Sequence, residues 1–223
     1  MKTIRLFSTL LLMAMAISMS AQTESTKQQK LRKTRAELKE EVSKTAQKEA
    51  KRLTKEGWKV SPGALPLERQ LDRSYMFQED IDDDMNPLYI LGEGRSVAEN
   101  FSAAHIQAQE LARLDISSKM VGSEATALID NLVANKQLAN DQAASVTTTM
   151  LENKTIYSQK LGRLQVALEL NRTLKNGSKE VMVRMVTKAS AVREIAKEAI
   201  RAELEKQGVQ MSEELKSYLS TKK

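Results

Sequence analysis

Residues 163–188, RLQVALELNRTLKNGSKEVMVRMVTK, decide the fold. Leu164, Val166, Leu168 and Leu170 alternate with Arg163, Gln165, Glu169 and Asn171, the period-2 pattern of a half-buried strand. Lys175-Asn176-Gly177-Ser178 is turn chemistry, because Asn-Gly accepts positive φ. Val181, Val183 and Met185 mark the return strand. Met182 and Val186 make its second face apolar as well, which predicts a central position in the sheet. The segment therefore reads as an antiparallel β-hairpin.

Helical patterns flank the hairpin. Ala189 to Gln207 carries Val192, Ile195, Ala199 and Ile200 on one face, with Gly208 as its stop, and a short helix follows from Ser212. Upstream, Val97, Phe101, Ala104, Ala108 and Leu111 line one face of a helix whose alanines allow close approach to a sheet. Ser96 and Glu99 have the spacing of a capping box at its start. Before it, Leu88 to Leu91 reads as a short buried strand closed by a tight turn at Gly92-Glu93-Gly94. A helical stretch beyond Gly122 carries Ala125, Leu128, Ile129, Leu132 and Val133. A further one runs from Asn140 to Ser158, although Ser145-Val146-Thr147-Thr148-Thr149 has strand-like propensity.

The order strand, helices, hairpin, helix predicts an α+β fold with a small, mostly antiparallel sheet. A long basic amphipathic helix precedes it. Residues 22–56 form that charged helix, ended by Gly57; 57–87 form a connector with a short helix (Leu67, Leu71, Tyr75) and an acidic loop; 88–208 form the α+β domain; 209–223 form a short helix and tail.

Residues 1–21, MKTIRLFSTLLLMAMAISMSA, read as a secretory signal peptide: Lys2 and Arg5 in the n-region, a twelve-residue h-region over 6–17, and Ser18, Ser20 and Ala21 for cleavage. Twelve residues fall short of the roughly 20 that span a bilayer. No second hydrophobic stretch follows, so the sequence predicts an exported protein without a transmembrane segment, in the periplasm or outer cell envelope. Removing Lys2 and Arg5 takes the formal net charge from +6 to +4.

That charge is unevenly placed. Residues 27–56 hold eleven basic and five acidic side chains, a local +6. Lys44, Lys48, Lys51 and Lys55 share one side at 100° per residue; Leu31, Leu38, Val42, Ala46 and Leu53 share nearly the opposite one, interrupted by Arg35 and Glu49. The lysines are candidate contacts for an envelope protein or an anionic envelope polymer. The seam suits docking on the domain or homo-oligomerisation through the N-terminal helix; the sequence leaves both open.

Composition excludes several chemistries. The chain has no cysteine, one histidine and 4% aromatic residues. Thiolate nucleophiles, disulfides and Cys-ligated zinc are ruled out. His105 has no carboxylate at i±3 or i±4, and no spacing marks a catalytic carboxylate pair. The expectation is a non-enzymatic protein without a cofactor, a metal or a nucleic-acid partner. The Asp80, Asp82, Asp84 series matches the first EF-hand positions, but Met85 and Leu91 stand where glycine and glutamate belong. The turn at Gly92, Gly94, Arg95 and Ser96, placed before a helix N-terminus, is the alternative candidate, an anion-binding site.

Tyr89-Ile90-Leu91-Gly92-Glu93-Gly94, the alanine-rich helix after it (Ala103, Ala104, Ala108, Ala112) and Glu180-Val181-Met182-Val183-Arg184 resemble the LPP-twenty family of bacterial envelope lipoproteins. The N-terminal domain of flagellar assembly protein T has a similar pattern. The resemblance covers roughly residues 87–207 and implies a non-enzymatic α+β envelope domain. It supplies no catalytic residues. The lipobox cysteine is missing, so a lipid anchor does not carry over.

Overall fold

The computed structural model describes residue 37, residues 40–82 and residues 86–220. The segment read as a signal peptide, Leu31 and Leu38 of the seam, and Asp83 to Met85 of the acidic loop lie outside these. The chain divides into two compact units, Met1–Thr45 and Ala46–Lys223. In the first, residue 37 and residues 40–45 are helical.

The second unit is α+β, as expected. Helix α1 covers 46–55. It is followed by α2 (Leu67–Glu79), β1 (Tyr89–Ala98) and α3 (Phe101–Lys119). A π-helical turn, Met120–Ala125, leads into α4 (Thr126–Ala134). Then come α5 (Asn140–Glu152), α6 (Lys154–Lys160), β2 (Gln165–Thr173), β3 (Lys179–Lys188), α7 (Ala189–Lys206) and α8 (Glu213–Tyr218). The sheet is antiparallel with order β1-β3-β2. The strand with two apolar faces is thus the central one. Its hairpin turn closes as expected: Gly177 has φ +87, its N–H donates to Leu174 O, and Leu174 N–H donates to Ser178 O.

Each face of the sheet carries a core. On one face Ile90, Val181, Val183 and Met185 pack with Ala104, Ala108, Ala112 and Ile116 of α3 and Val192, Ala196 and Ile200 of α7. On the other, Leu168, Leu170 and Met182 pack with Ala46, Ala50 and Leu53 of α1, Trp58, and Leu71 of α2. Docking of α1 answers half of the question the seam left open: Ala46 and Leu53 are buried within the domain. A Schellman-type end fixes the chain there, with Gly57 at φ +86 and Trp58 N–H bonding Leu53 O at 3.0 Å.

Five local readings change. Gly92 and Gly94 form no turn; β1 runs straight through them to Ala98. The cap of α3 is Asn100, whose Oδ1 accepts from Ala103 N–H at 2.9 Å, so Ser96 and Glu99 make no capping box. Gly122 does not break the helix but lies in the π-helical turn. The stretch from Asn140 divides at Asn153, while Ser145 to Thr149 are helical as read. In β2, a bulge between Val166 and Leu168 resets the alternation, exposing Val166 and burying both Ala167 and Leu168.

The two strand glycines have a packing cause. A Cβ on Gly94 would lie 1.9 Å from Ala108 O and 2.4 Å from Ala112 N; on Gly92, 2.2 Å from Ala112 O. Strand residues two apart point to one face, and helix residues four apart do too. Glycines at 92 and 94 facing alanines at 104, 108 and 112 therefore let α3 lie nearly backbone-to-backbone on β1.

Candidate functional site

The alternative anion site loses its geometry. Gly92 and Gly94 are covered by α3, and the Ser96 hydroxyl donates to Gln107 Oε1 at 2.6 Å. The Arg95 guanidinium crosses to the opposite face and pairs with Glu180. The four residues lie within β1 and not at the start of α3, which begins at Phe101.

Glu180 is the centre of a polar cluster on the α1 side of the sheet. It is 4% exposed and bound by Arg95 and by Arg172, whose Nε lies 2.6 Å from Oε2. Both guanidinium groups lie over the Trp58 ring, at 5.3 and 4.6 Å from its centroid. Burial pushes the Glu180 carboxyl up, but hydrogen bonds and charge from Arg95 and Arg172 outweigh it and hold the group below the ordinary carboxylate range. Next to it, Arg184 bonds Glu93 at 2.6 Å, reaches Glu49 at 3.7 Å and lies over Tyr75, whose hydroxyl donates to Glu49. Glu49, the interruption in the apolar seam, is thus α1's polar anchor to the sheet.

A second cluster forms around His105. Its Nε2 lies 3.1 Å from Glu169 Oε2, its ring stacks on Phe101, and Gln109 Nε2 is 3.1 Å away. The Ser61 hydroxyl donates to the other Glu169 oxygen at 3.1 Å. The carboxylate absent at i±3 and i±4 on the histidine's own helix is supplied by β2, a pairing across 64 residues that no local spacing reveals. The hydroxyl and the imidazole meet opposite oxygens of one carboxylate, so this is a tie between elements; a nucleophile–base pair would need Ser61 and His105 in contact with each other. Among the described residues, no three His, Cys, Asp or Glu side chains come together to hold a metal ion.

The lysines divide between the two units. In the first, Lys44 pairs with Glu40 at 2.7 Å; the mutual hydrogen bond holds Glu40 below its ordinary range and Lys44 above. In the second, Lys48, Lys51 and Lys55 are exposed on α1. No ion pair holds any of the three among the described residues. The acids of α1 and of the turn that ends it are engaged: Glu49 with Tyr75, Arg184 and Arg52, and Glu56 with Arg52 at 2.5 Å. The helix therefore turns its acids toward arginines and leaves its lysines uncompensated. Helix α7 is the contrast, since Arg193, Lys197, Arg201 and Lys206 each reach an acid.

The fold thus defines an α+β protein with a three-stranded antiparallel sheet covered on both faces. No family model, curated protein or solved structure matches the chain. No helix among the described residues is long and apolar enough to cross a membrane.

Proposed function

We propose that the protein is an exported, non-enzymatic module of the cell envelope that works by contact with another envelope component. The observation that carries this reading is the charge segregation on α1. Its apolar face and its acids are engaged by the sheet and neighbouring arginines, while Lys48, Lys51 and Lys55 face outward. Export rests on residues 1–21, whose charge, length and small-residue end have the form of a signal peptide. The resemblance of 89–94 and 180–184 to the LPP-twenty family points to the same compartment; the two segments lie on paired strands and meet at Glu93 opposite Arg184 and Gly94 opposite Val183.

The test is the N-terminus and location of the chain in cells that express it. Mass spectrometry of the purified protein should find it beginning at Ala21 or Gln22, recovered from an extracytoplasmic fraction. A chain that keeps residues 1–20 and stays in the cytoplasm refutes the proposal.

A further inference from the structure

We infer that the outward face of α1 is a docking strip for a linear polyanion, a polymer with regularly spaced phosphate or carboxylate groups. This rests on the reading above as a contact module and names the chemistry of its partner.

Three features select that partner. The first is the spacing. Lys48, Lys51 and Lys55 fall within one 60° arc, and at 1.5 Å per residue they span roughly 10 Å, several monomer repeats of a charged polymer. The second is the choice of cation. Arg95, Arg172 and Arg184 are committed to carboxylates on the sheet, and Arg52, exposed on α1, is paired with Glu49 and Glu56. The outward cations of this helix without an ion pair among the described residues are lysines. An ammonium is a hydrated point charge without fork geometry, suited to sliding contact with a charge array and poor at bidentate recognition of one group. The third is what the strip lacks. Ala46, Ala50 and Leu53, the apolar residues of α1, are all buried, and the other exposed positions of the helix are Gln47, Arg52 and Thr54. Without an exposed apolar residue the strip cannot insert into a bilayer, and without an aromatic it cannot stack bases.

The experiment is binding of the full mature chain to two fluorescent probes, long-chain inorganic polyphosphate and polygalacturonate, across a salt series. They separate a phosphate source from a carboxylate one. The row variant K48Q/K51Q/K55Q is compared with K154Q/K175Q/K188Q, which removes the same charge from three exposed lysines elsewhere. Circular dichroism verifies the folding of both. At least one probe should bind the wild type, with log affinity falling against log salt at a slope of roughly −2, as three contacts of about 0.7 each give. The row variant should lose at least tenfold and the control less than twofold. Equal losses in the two variants, or no binding of either probe at low salt, would overturn the inference. Either result leaves the N-terminal and fractionation test standing, so the two ideas fail separately.

Discussion

Replacing Gly94 by alanine adds one methyl group where β1 and α3 nearly touch. The new Cβ would lie 1.9 Å from Ala108 O and 2.4 Å from Ala112 N, and both are backbone atoms of a helix that cannot rotate away. Restoring ordinary contact near 3.4 Å requires α3 to rise by about 1.5 Å, or β1 to sink by as much. Ala104, Ala108, Ala112 and Ile116 are all fully buried in the interface that would open. Overpacking a core costs about 1–3 kcal/mol when side chains can yield; against backbone the upper end applies, so about 3 kcal/mol is expected. For a chain of this size that lowers the melting temperature by roughly 6–12 °C. Gly122 is the control: it is helical, and a Cβ there meets nothing within 4 Å. Gly122→Ala should be neutral or stabilising by up to about 1 kcal/mol. Thermal and urea unfolding followed by circular dichroism measure both. If Gly94→Ala unfolds within about 1 kcal/mol of the wild type, the close approach of α3 is not what the glycines serve.

Three further outcomes follow from the polar clusters and the sheet edge. Glu180→Gln leaves Arg95 and Arg172 facing each other over Trp58 and should destabilise by about 2–3 kcal/mol in urea unfolding. The wild-type carboxyl sits below its unfolded value, so its contribution is present above the unfolded pKa and lost as pH falls through the folded one; the variant should lack that acid-dependent loss. Burial and then Glu203 push the Tyr157 hydroxyl up to about 12. Stability from that group is full below the unfolded value near 10 and declines as pH rises toward 12; tyrosinate absorbance should track alkaline unfolding, and Tyr157→Phe should remove the decline. Asp115 accepts from Glu93 N–H at 2.9 Å, and Lys119 donates to Leu91 O at 2.7 Å, blocking the outer edge of β1. Asp115→Ala with Lys119→Ala should increase self-association in size-exclusion chromatography, and an unchanged elution profile would contradict the edge role.

Period and turn chemistry made the hairpin, the central place of β3 and the C-terminal helices legible, because each depends on residues near one another in the chain. The misread places share a different cause, contacts with distant elements. Gly92 and Gly94 look like a turn in isolation; only α3 lying on them makes them strand residues, and the signal was present in the matching repeat of Ala104, Ala108 and Ala112. The helical reading from Asn140 holds through Ser145 to Thr149 in spite of their strand propensity: Val146 and Met150 are buried one helical turn apart, and the Thr147 and Thr149 hydroxyls bond carbonyls four residues back. The bulge at Val166 cannot be read from alternation, since it breaks alternation. Glu49 looked like a flaw in an apolar seam, because its partners Tyr75 and Arg184 come from α2 and β3. Of the candidate residues, the lysine row needed only helical phase. The Gly92 to Ser96 site failed because its reading depended on a turn that the packing of α3 replaces.

The most direct measurement of the central claim is cell fractionation of the full chain beside K48Q/K51Q/K55Q, with the envelope pellet washed at low and then at high salt. The wild type should sediment with the envelope at low salt and leave it at high salt, while the variant, folded and exported, should stay in the soluble extracytoplasmic fraction at both. Equal distribution of the two proteins at every salt concentration would contradict the claim.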